Sequence, residues 1–223
     1  GATEALNRER LARLPHCQWC YAPYYAIPLT SARPRGEPIR FASFNQFVKV
    51  SDGALDLWCE ILKAVPGSRL AVHGVPLGVT PQDFLPRMEA RGIAADRVEL
   101  VGRLGIREYF DAISRSDIAL DTWPYNGATT TLDTLWMGTP VVALRGARAL
   151  SRGAYSIVSA AGLQELVAGS TAQYVEKNVA LARDAAARER LRSELRARLT
   201  RSPVMDAAGF TRDLEALYQR MRG

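Results

Sequence analysis

A chain of 223 residues, 48% of them hydrophobic and 23% charged, suits one globular domain with extensions and can bury a full core without disulfides or metal. Its three cysteines, Cys17, Cys20 and Cys59, are too few for a disulfide framework, and no apolar run is long enough to span a bilayer. The formal charge of +6 favours anionic partners, but the run Arg183, Arg188, Arg190, Arg192, Arg196, Arg198 and Arg201 is interleaved with Glu189 and Glu194 and lacks aromatic residues, so it reads as a solvated helix face and not a nucleic-acid surface.

The chain opens on Gly1, which is expected of a piece excised from a longer protein. Residues 1–38 read as irregular, because Pro15, Pro23, Pro28 and Pro34 break any long helix. Trp19, Tyr21, Tyr24 and Tyr25 make this stretch too apolar for a free linker, so it is expected to lie over a surface. Cys17-Gln18-Trp19-Cys20 has a zinc-knuckle spacing with His16 beside it, but no second pair follows to complete four ligands. No metal is expected; reduced thiols in a cytoplasmic protein are.

Regular alternation begins at Ile39. Ile39 to Phe44 reads as a strand. Ser51 and Asp52 offer an N-cap for a helix carrying Leu55, Leu57, Trp58, Ile61, Leu62 and Val65, which Pro66-Gly67 stops. Arg69 to His73 is a second strand. Thr80 caps a helix opening on Pro81, with Phe84, Leu85 and Met88 inward. Val98 to Val101, Asp117 to Asp121 and Val141 to Ala143 complete five strands, with helices over Arg107 to Ser114 and Thr129 to Met137 between them. Short apolar strands alternating with helices predict an α/β fold, a Rossmann-like parallel sheet covered on both faces. From Ser151 onward the pattern is helical: Leu163 to Ala168, a longer helix from Ser170 or Thr171, Arg188 to Leu199, and Ala207 to Met221 with Phe210, Leu214, Leu217, Tyr218 and Met221 on one stripe.

Ligands of open parallel sheets bind beyond the carboxyl ends of the strands. Three strand-end loops stand out there: Asn45 to Lys49, Gly102 to Gly105, and Pro124 to Thr131. In the last, Asn126-Gly127 makes a turn and three threonines then open a helix, whose unpaired N–H groups and positive dipole end suit a phosphate. Asp133, one turn on, could accept from ribose hydroxyls. Thr129 could equally be a plain cap and Asp133 a first-turn acid. Lys49, beside Gln46, could neutralise charge on a leaving diphosphate without a metal, or be a solvated surface group. A dehydrogenase would need G-x-G-x-x-G where the chain has Asn45-Gln46-Phe47, and no G-x-x-x-x-G-K-[ST] appears.

Phe41 to Lys49, FASFNQFVK, and Leu120 to Val142, LDTWPYNGATTTLDTLWMGTPVV, resemble the carboxy-terminal catalytic lobe of protein O-GlcNAc transferases, most closely bacterial members with tandem helical repeats. Ser151-Arg152, Gly162-Leu163, Glu165-Leu166 and Ser202-Pro203 fit as well, and the resemblance runs from about Leu14 to the end. It implies one lobe of a two-lobed GT-B-type glycosyltransferase using a UDP-sugar with no cofactor or metal. Gln46 and Lys49 match diphosphate-holding residues, with Lys49 as the catalytic group. Thr129 and Thr130 match helix-start phosphate ligands, within a loop completed by Asn126, Gly127, Ala128 and Thr131. Asp133 matches the ribose-binding carboxylate, and Arg103 and Leu104 match main-chain contacts to uracil. The chain departs from the pattern at Ala128, where animal members have histidine, and at Tyr109, where a uracil-flanking histidine is common.

The organisation implied is a connecting segment over 1–38, the UDP-sugar-binding lobe over 39–206, and a C-terminal helix over 207–223 that crosses to an opposing lobe. The expected reaction is transfer of N-acetylglucosamine to Ser or Thr of proteins, in the cytoplasm, with this piece alone inactive. A UDP-glucose-dependent protein N-glycosyltransferase and a sugar-nucleotide epimerase remain alternatives. The protein acceptor would be held by the opposing lobe and repeats, no nucleic acid or membrane is involved, and exposed apolar ends could drive self-association.

Overall fold

The structure, a computed structural model, describes residues 4–23, 27 and 36–222. Four parallel strands lie in the order β3 (Val98–Val101), β2 (Arg69–His73), β1 (Arg40–Ser43) and β4 (Ile118–Ala119). Two more, β5 (Ala143–Leu144) and β6 (Val167–Ala168), also pair in parallel. Val141, just ahead of β5, bridges in parallel to Ala119, so the two sheets run on as one. The helices, in chain order, are α1 (Asp52–Ala64), α2 (Pro81–Glu89), α3 (Ile106–Ser114), α4 (Thr129–Trp136), α5 (Gly153–Ala160), α6 (Thr171–Arg183), α7 (Ala185–Thr200) and α8 (Ala207–Arg222).

Both sheet faces are covered, as the continuous apolar strands require. Phe41, Leu70, Val72 and Ile118 pack with Trp58 of α1, Phe84 of α2 and Tyr174 of α6. Ala42 and Ala71 pack against Phe110 and Ile113 of α3. A further cluster joins Leu132 and Leu135 of α4, Ile157 and Val158 of α5, and Leu191, Leu195 and Leu199 of α7. The predicted caps form: the Ser51 hydroxyl accepts from Ala54 N–H, and at Thr80 the Asp83 carboxylate accepts from both the backbone N–H and the hydroxyl.

The arginine run is only in part the solvated face expected of it: Arg183, Arg190 and Arg201 are exposed, whereas Arg188, Arg192, Arg196 and Arg198 are half-buried. Arg192 of α7 donates to Ser114 O and Ser116 O at 3.0 and 2.8 Å, where α3 ends. Arg196 donates to Trp136 O, the last carbonyl of α4, at 2.7 Å and lies 4.4 Å from that ring's centroid. Arg188 donates to Leu181 O and Ala182 O at the end of α6, and Arg97 does the same for α1 through Leu62 O and Val65 O. Helix ends leave carbonyls without intrahelical partners and carry partial negative charge, so a guanidinium answers both needs.

Other expectations change in detail. Leu163 to Ala168 is not a helix: a short 3₁₀ turn, Gln164–Leu166, leads into β6, because β5 offers Val167 and Ala168 a free edge. Asp117 to Asp121 narrows to the two residues of β4, and the strand expected at Val141 to Ala143 slides to β5. Leu85 is half-buried, not fully inward. Of the aromatics expected to be uncovered, Tyr21 is buried and Trp19 half-buried, whereas Tyr24, Tyr25, Pro28 and Pro34 lie outside the described residues. On α8 no described residue is buried; Phe210, Leu214 and Leu217 are half-covered and Tyr218 and Met221 exposed. No described helix is long and apolar enough to cross a membrane.

Candidate functional site

The loops after β1, β4 and β5 converge at the carboxyl edge of the sheet. After β1 the chain makes a 3₁₀ turn, Phe47–Lys49, closed by Lys49 N–H to Gln46 O at 2.9 Å. The turn folds Lys49 back over the β4 loop, where its Nζ donates to Asn126 O at 3.1 Å and lies 3.9 Å from the Tyr125 ring centroid. The Ser51 hydroxyl ties the same two loops by donating to Trp123 O. Gln46 is exposed.

The β4 loop is held by its own groups. Thr122 Oγ1 donates to Tyr125 O at 2.6 Å, and Asn126 Nδ2 to Thr122 O at 3.1 Å. Asn126 N–H donates across to Leu150 O of the β5 loop at 3.1 Å. Gly127 follows because nothing larger fits: a Cβ there would sit 2.6 Å from both Asn45 Oδ1 and Thr130 Oγ1. No side chain caps α4, and the first helical bond runs from Leu132 N–H to Ala128 O. The amides of Thr129, Thr130 and Thr131 therefore make no hydrogen bond among the described residues, and an uncapped helix start of this kind suits an anion. Thr129 is exposed. Thr131 is buried, and Thr130 turns its hydroxyl to Asn45 Oδ1 at 2.7 Å, so the three threonines are not equivalent.

Beneath this loop lies Asp121, which the sequence reading passed over. One carboxylate oxygen accepts from Gly127 N–H (2.7 Å), Thr122 N–H (2.9 Å) and Asn45 Nδ2 (3.0 Å). The other is buried without a partner among the described residues. Burial pushes Asp121 up to about 6, against the pull of those donors and of Lys49's charge. Lys49 in turn is lowered by burial and partly restored by Asp121. Asp121 backbone O accepts from Trp58 Nε1 at 3.1 Å and Tyr174 OH at 3.3 Å, which anchors the strand end to α1 and α6.

Asp133 is buried, with both carboxylate oxygens engaged: Tyr21 OH donates to Oδ1 at 2.8 Å and Tyr109 OH to Oδ2 at 3.0 Å. Burial raises its pKa and the two phenols oppose the rise. Tyr109 thus points inward to Asp133 and stands edge-on to Phe44, at 5.9 Å between centroids. Phe44 stacks at 4.5 Å on His73, whose buried imidazole is depressed to about 4, chiefly by burial. Arg103 is exposed and Leu104 half-buried on the β3 loop.

The structure brings together Lys49, Asn126, Gly127, Thr129 and Thr130 on adjoining loops. Asp133 and Tyr109 form a second group one helical turn in, while Gln46 and Arg103 stand on the exposed rims. Asn45, Asp121 and Tyr21 went unread. The one signal for Asp121 was an acid at a strand end directly ahead of a turn; nothing in the sequence pairs Tyr21 with a residue 112 positions away.

An open parallel sheet whose edge presents an uncapped helix start and a lysine defines a Rossmann-like lobe of the GT-B type. WaaG, a glycosyltransferase involved in lipopolysaccharide biosynthesis, shares this fold (TM-score 0.57, 13% identity, 85% of this chain and 48% of that one). The chain belongs to glycosyl transferase family 41, whose sequence profile matches residues 28–214. It is 37% identical over 225 residues to the probable UDP-N-acetylglucosamine–peptide N-acetylglucosaminyltransferase SPINDLY of Petunia hybrida, covering 99% of this chain and 24% of that protein. The probable enzyme of the same description named SEC, from Arabidopsis thaliana, is 31% identical, covering 96% and 23%. A mutant of the Thermobaculum terrenum O-GlcNAc transferase superposes with a TM-score of 0.87 at 36% identity, covering 99% of this chain and 42% of that one. The chain spans about a quarter of the length of these curated relatives.

Proposed function

We propose that residues 39–206 form the UDP-sugar-binding lobe of a metal-independent glycosyltransferase that transfers N-acetylglucosamine to Ser or Thr of proteins, the opposing lobe lying elsewhere in a longer protein. The observation that carries this reading is the uncapped start of α4 with Lys49 folded over the adjoining loop: free amides, a positive helix end and an ammonium at one edge. In the donor complex the amides of Thr129 and Thr130 and the exposed Thr129 hydroxyl, with Lys49 and Gln46, hold the diphosphate, and Asn126, Gly127, Ala128 and Thr131 shape the loop. Asp133 takes the ribose once the Tyr21 or Tyr109 hydroxyl swings off its carboxylate, and main-chain groups at Arg103 and Leu104 meet the uracil beside Tyr109. As the bond from sugar to diphosphate breaks, charge grows on the departing oxygens next to Lys49 and the helix start, where fixed positive groups stabilise it. The names of the relatives support the sugar and the peptide acceptor.

Calorimetry on the full-length protein tests the donor side. UDP binds more tightly than UMP, and a chelator leaves the difference in place; equal affinities would remove the phosphate assignment. Transfer assays with UDP-N-acetylglucosamine, UDP-glucose and a purine-linked sugar then test the donor, and release of UDP only when an acceptor protein is present separates transfer from epimerisation.

A further inference from the structure

Several arginines elsewhere on this chain are engaged, while others, Arg103 and Arg107 among them, stand exposed and singly. Arg40, Arg87, Arg91 and Arg198 meet carboxylates, and Arg97, Arg188, Arg192 and Arg196 meet helix-end carbonyls. The β5 loop gathers three in eight residues. It reads Arg145-Gly146-Ala147-Arg148-Ala149-Leu150-Ser151-Arg152, without an acid, and none of its three guanidiniums has a carboxylate partner among the described residues. Two of them are nonetheless fixed. Arg152 donates to Gly146 O at 3.0 Å and lies 4.8 Å from the Tyr155 centroid, and Arg145 lies 5.8 Å from the same centroid. Gly146 N–H closes the loop on Ser151 O at 2.9 Å. Arg148 is exposed.

Position decides what this charge could meet. Along the carboxyl edge the strands run β3, β2, β1, β4, then β5. A nucleotide laid as proposed above puts its base at the β3 loop and its diphosphate at the β1 and β4 loops. The β5 loop, tied to the β4 loop by Asn126 N–H to Leu150 O, is the next station beyond the diphosphate, on the side away from the base. The diphosphate already has Lys49 and the α4 amides. The sugar is uncharged, so a second cluster of cations on its side has no donor group to answer. The remaining reactant is the polypeptide that brings the hydroxyl.

We infer that the β5 loop, through Arg145, Arg148 and Arg152, is a docking surface for acidic side chains flanking the acceptor hydroxyl, so that the enzyme favours acidic polypeptide segments. This rests on the donor reading above. Guanidinium forks match carboxylates bidentately, and those held on a tyrosine ring lose little freedom on binding.

The test uses the full-length protein and two matched peptides: a serine flanked by Asp and Glu, and the same peptide with Asn and Gln in their place. The acidic peptide has a KM about tenfold lower at low salt, a gap that two or three exposed charge contacts supply and that narrows as ionic strength rises. In Arg145→Ala/Arg148→Ala the two KM values converge, while UDP affinity shifts by less than about twofold because the diphosphate contacts remain. Arg152 is left intact for its bond to Gly146; should the double variant fail to fold, Arg148→Ala alone, at an exposed position, reads the same convergence at smaller amplitude. Equal KM values in the parent overturn the proposal. So does an equal rise for both peptides in the variant, which would assign the loop to another part of the protein, or a loss of UDP affinity, which would assign it to the donor. An RNA oligonucleotide that displaces the acidic peptide at lower concentration than the peptide's own would give the surface to nucleic acid and overturn it too. If the parent transfers no sugar at all, the donor reading is what fails; anisotropy of the two labelled peptides still reads their affinity ratio and decides the docking surface by itself.

Discussion

Lys49→Ala separates a lysine that acts on the departing diphosphate from one that merely decorates a loop. In the structure its ammonium makes one hydrogen bond, to Asn126 O at 3.1 Å, and one ring contact, to Tyr125 at 3.9 Å. Both are at a half-exposed residue, so their loss costs about 1 kcal/mol of stability at most. The effect on the barrier is larger. The α4 start contributes about half a unit of fixed positive charge, and Lys49 adds a full one whose attraction strengthens as the bond breaks. Removing a transition-state donor of this kind costs about 3–4 kcal/mol, roughly two to three orders of magnitude in turnover, while KM moves less because the intact donor carries less charge at that bond. Arginine rescues poorly, since its planar fork does not replace a compact ammonium. The pH profile of the parent carries the same signature. Burial holds Lys49 below the usual lysine range in the free protein, so the protonated form is lost, and kcat/KM falls, at lower pH than an ordinary lysine would give. Turnover, UDP affinity and thermal melting are measured on one full-length preparation; near-normal turnover in a folded Lys49→Ala refutes the reasoning.

Three further outcomes follow from the buried polar groups. His73, at about 4 against 6.5 unfolded, makes the folded state bind fewer protons as pH falls through that window, so its contribution to stability is full above 6.5 and lost toward 4; Asp121, at about 6 against 3.8, has the opposite sign, contributing as pH falls below 6. Asp121→Asn removes the offset, so urea melts between pH 7 and 4 show the variant losing about 2–3 kcal/mol more than the parent, and parallel curves would refute the pairing. Tyr21→Phe strips one donor from the buried Asp133 and lowers unfolding free energy by about 1–2 kcal/mol in denaturant titrations, whereas an unchanged value means the hydroxyl is dispensable. Gly127→Ala drives a methyl into Asn45 Oδ1 and Thr130 Oγ1, so it destabilises by about 1–3 kcal/mol and weakens UDP binding measured by calorimetry; a variant that binds UDP as the parent does would show that the loop tolerates the shift.

Legibility followed the range of the interactions. Caps at Ser51 and Thr80, the strand at Arg69 to His73, and the helix opening on Thr129 are set by residues within a turn of one another, and each appeared where local chemistry put it. The helix expected at Leu163 to Ala168 failed because β5 lies more than 20 positions away and supplies the partner that turns Val167 and Ala168 into a strand. The site divides the same way. The places of Lys49, on a strand-end turn, and of the threonines, at a helix start, were readable from local sequence, while their roles stand as proposed above. Asn45 and Tyr21 act through contacts across 76, 85 and 112 positions, which periodicity and spacing do not register, while Asp121 joins one of these to two local amides. The arginine run was misjudged in part for the same reason: the carbonyl partners of Arg192 and Arg196 lie at the ends of α3 and α4, 60 to 78 positions away.

Those arginines make α7 a splint for the carboxyl edge of the sheet. Arg192 and Arg196 grip the far ends of α3 and α4, the helices whose near ends carry the β3 loop and the anion site, and the α7 backbone comes so close to Gly138 that a Cβ there would meet Arg192 O at 2.7 Å. A helix is stiff along its length, so slack at its tail becomes misalignment at its head. On the donor reading proposed above, substitutions in α7 will therefore register in a genetic screen as donor-binding defects. A map of loss-of-function positions drawn without the structure would enlarge the apparent active site by a whole helix.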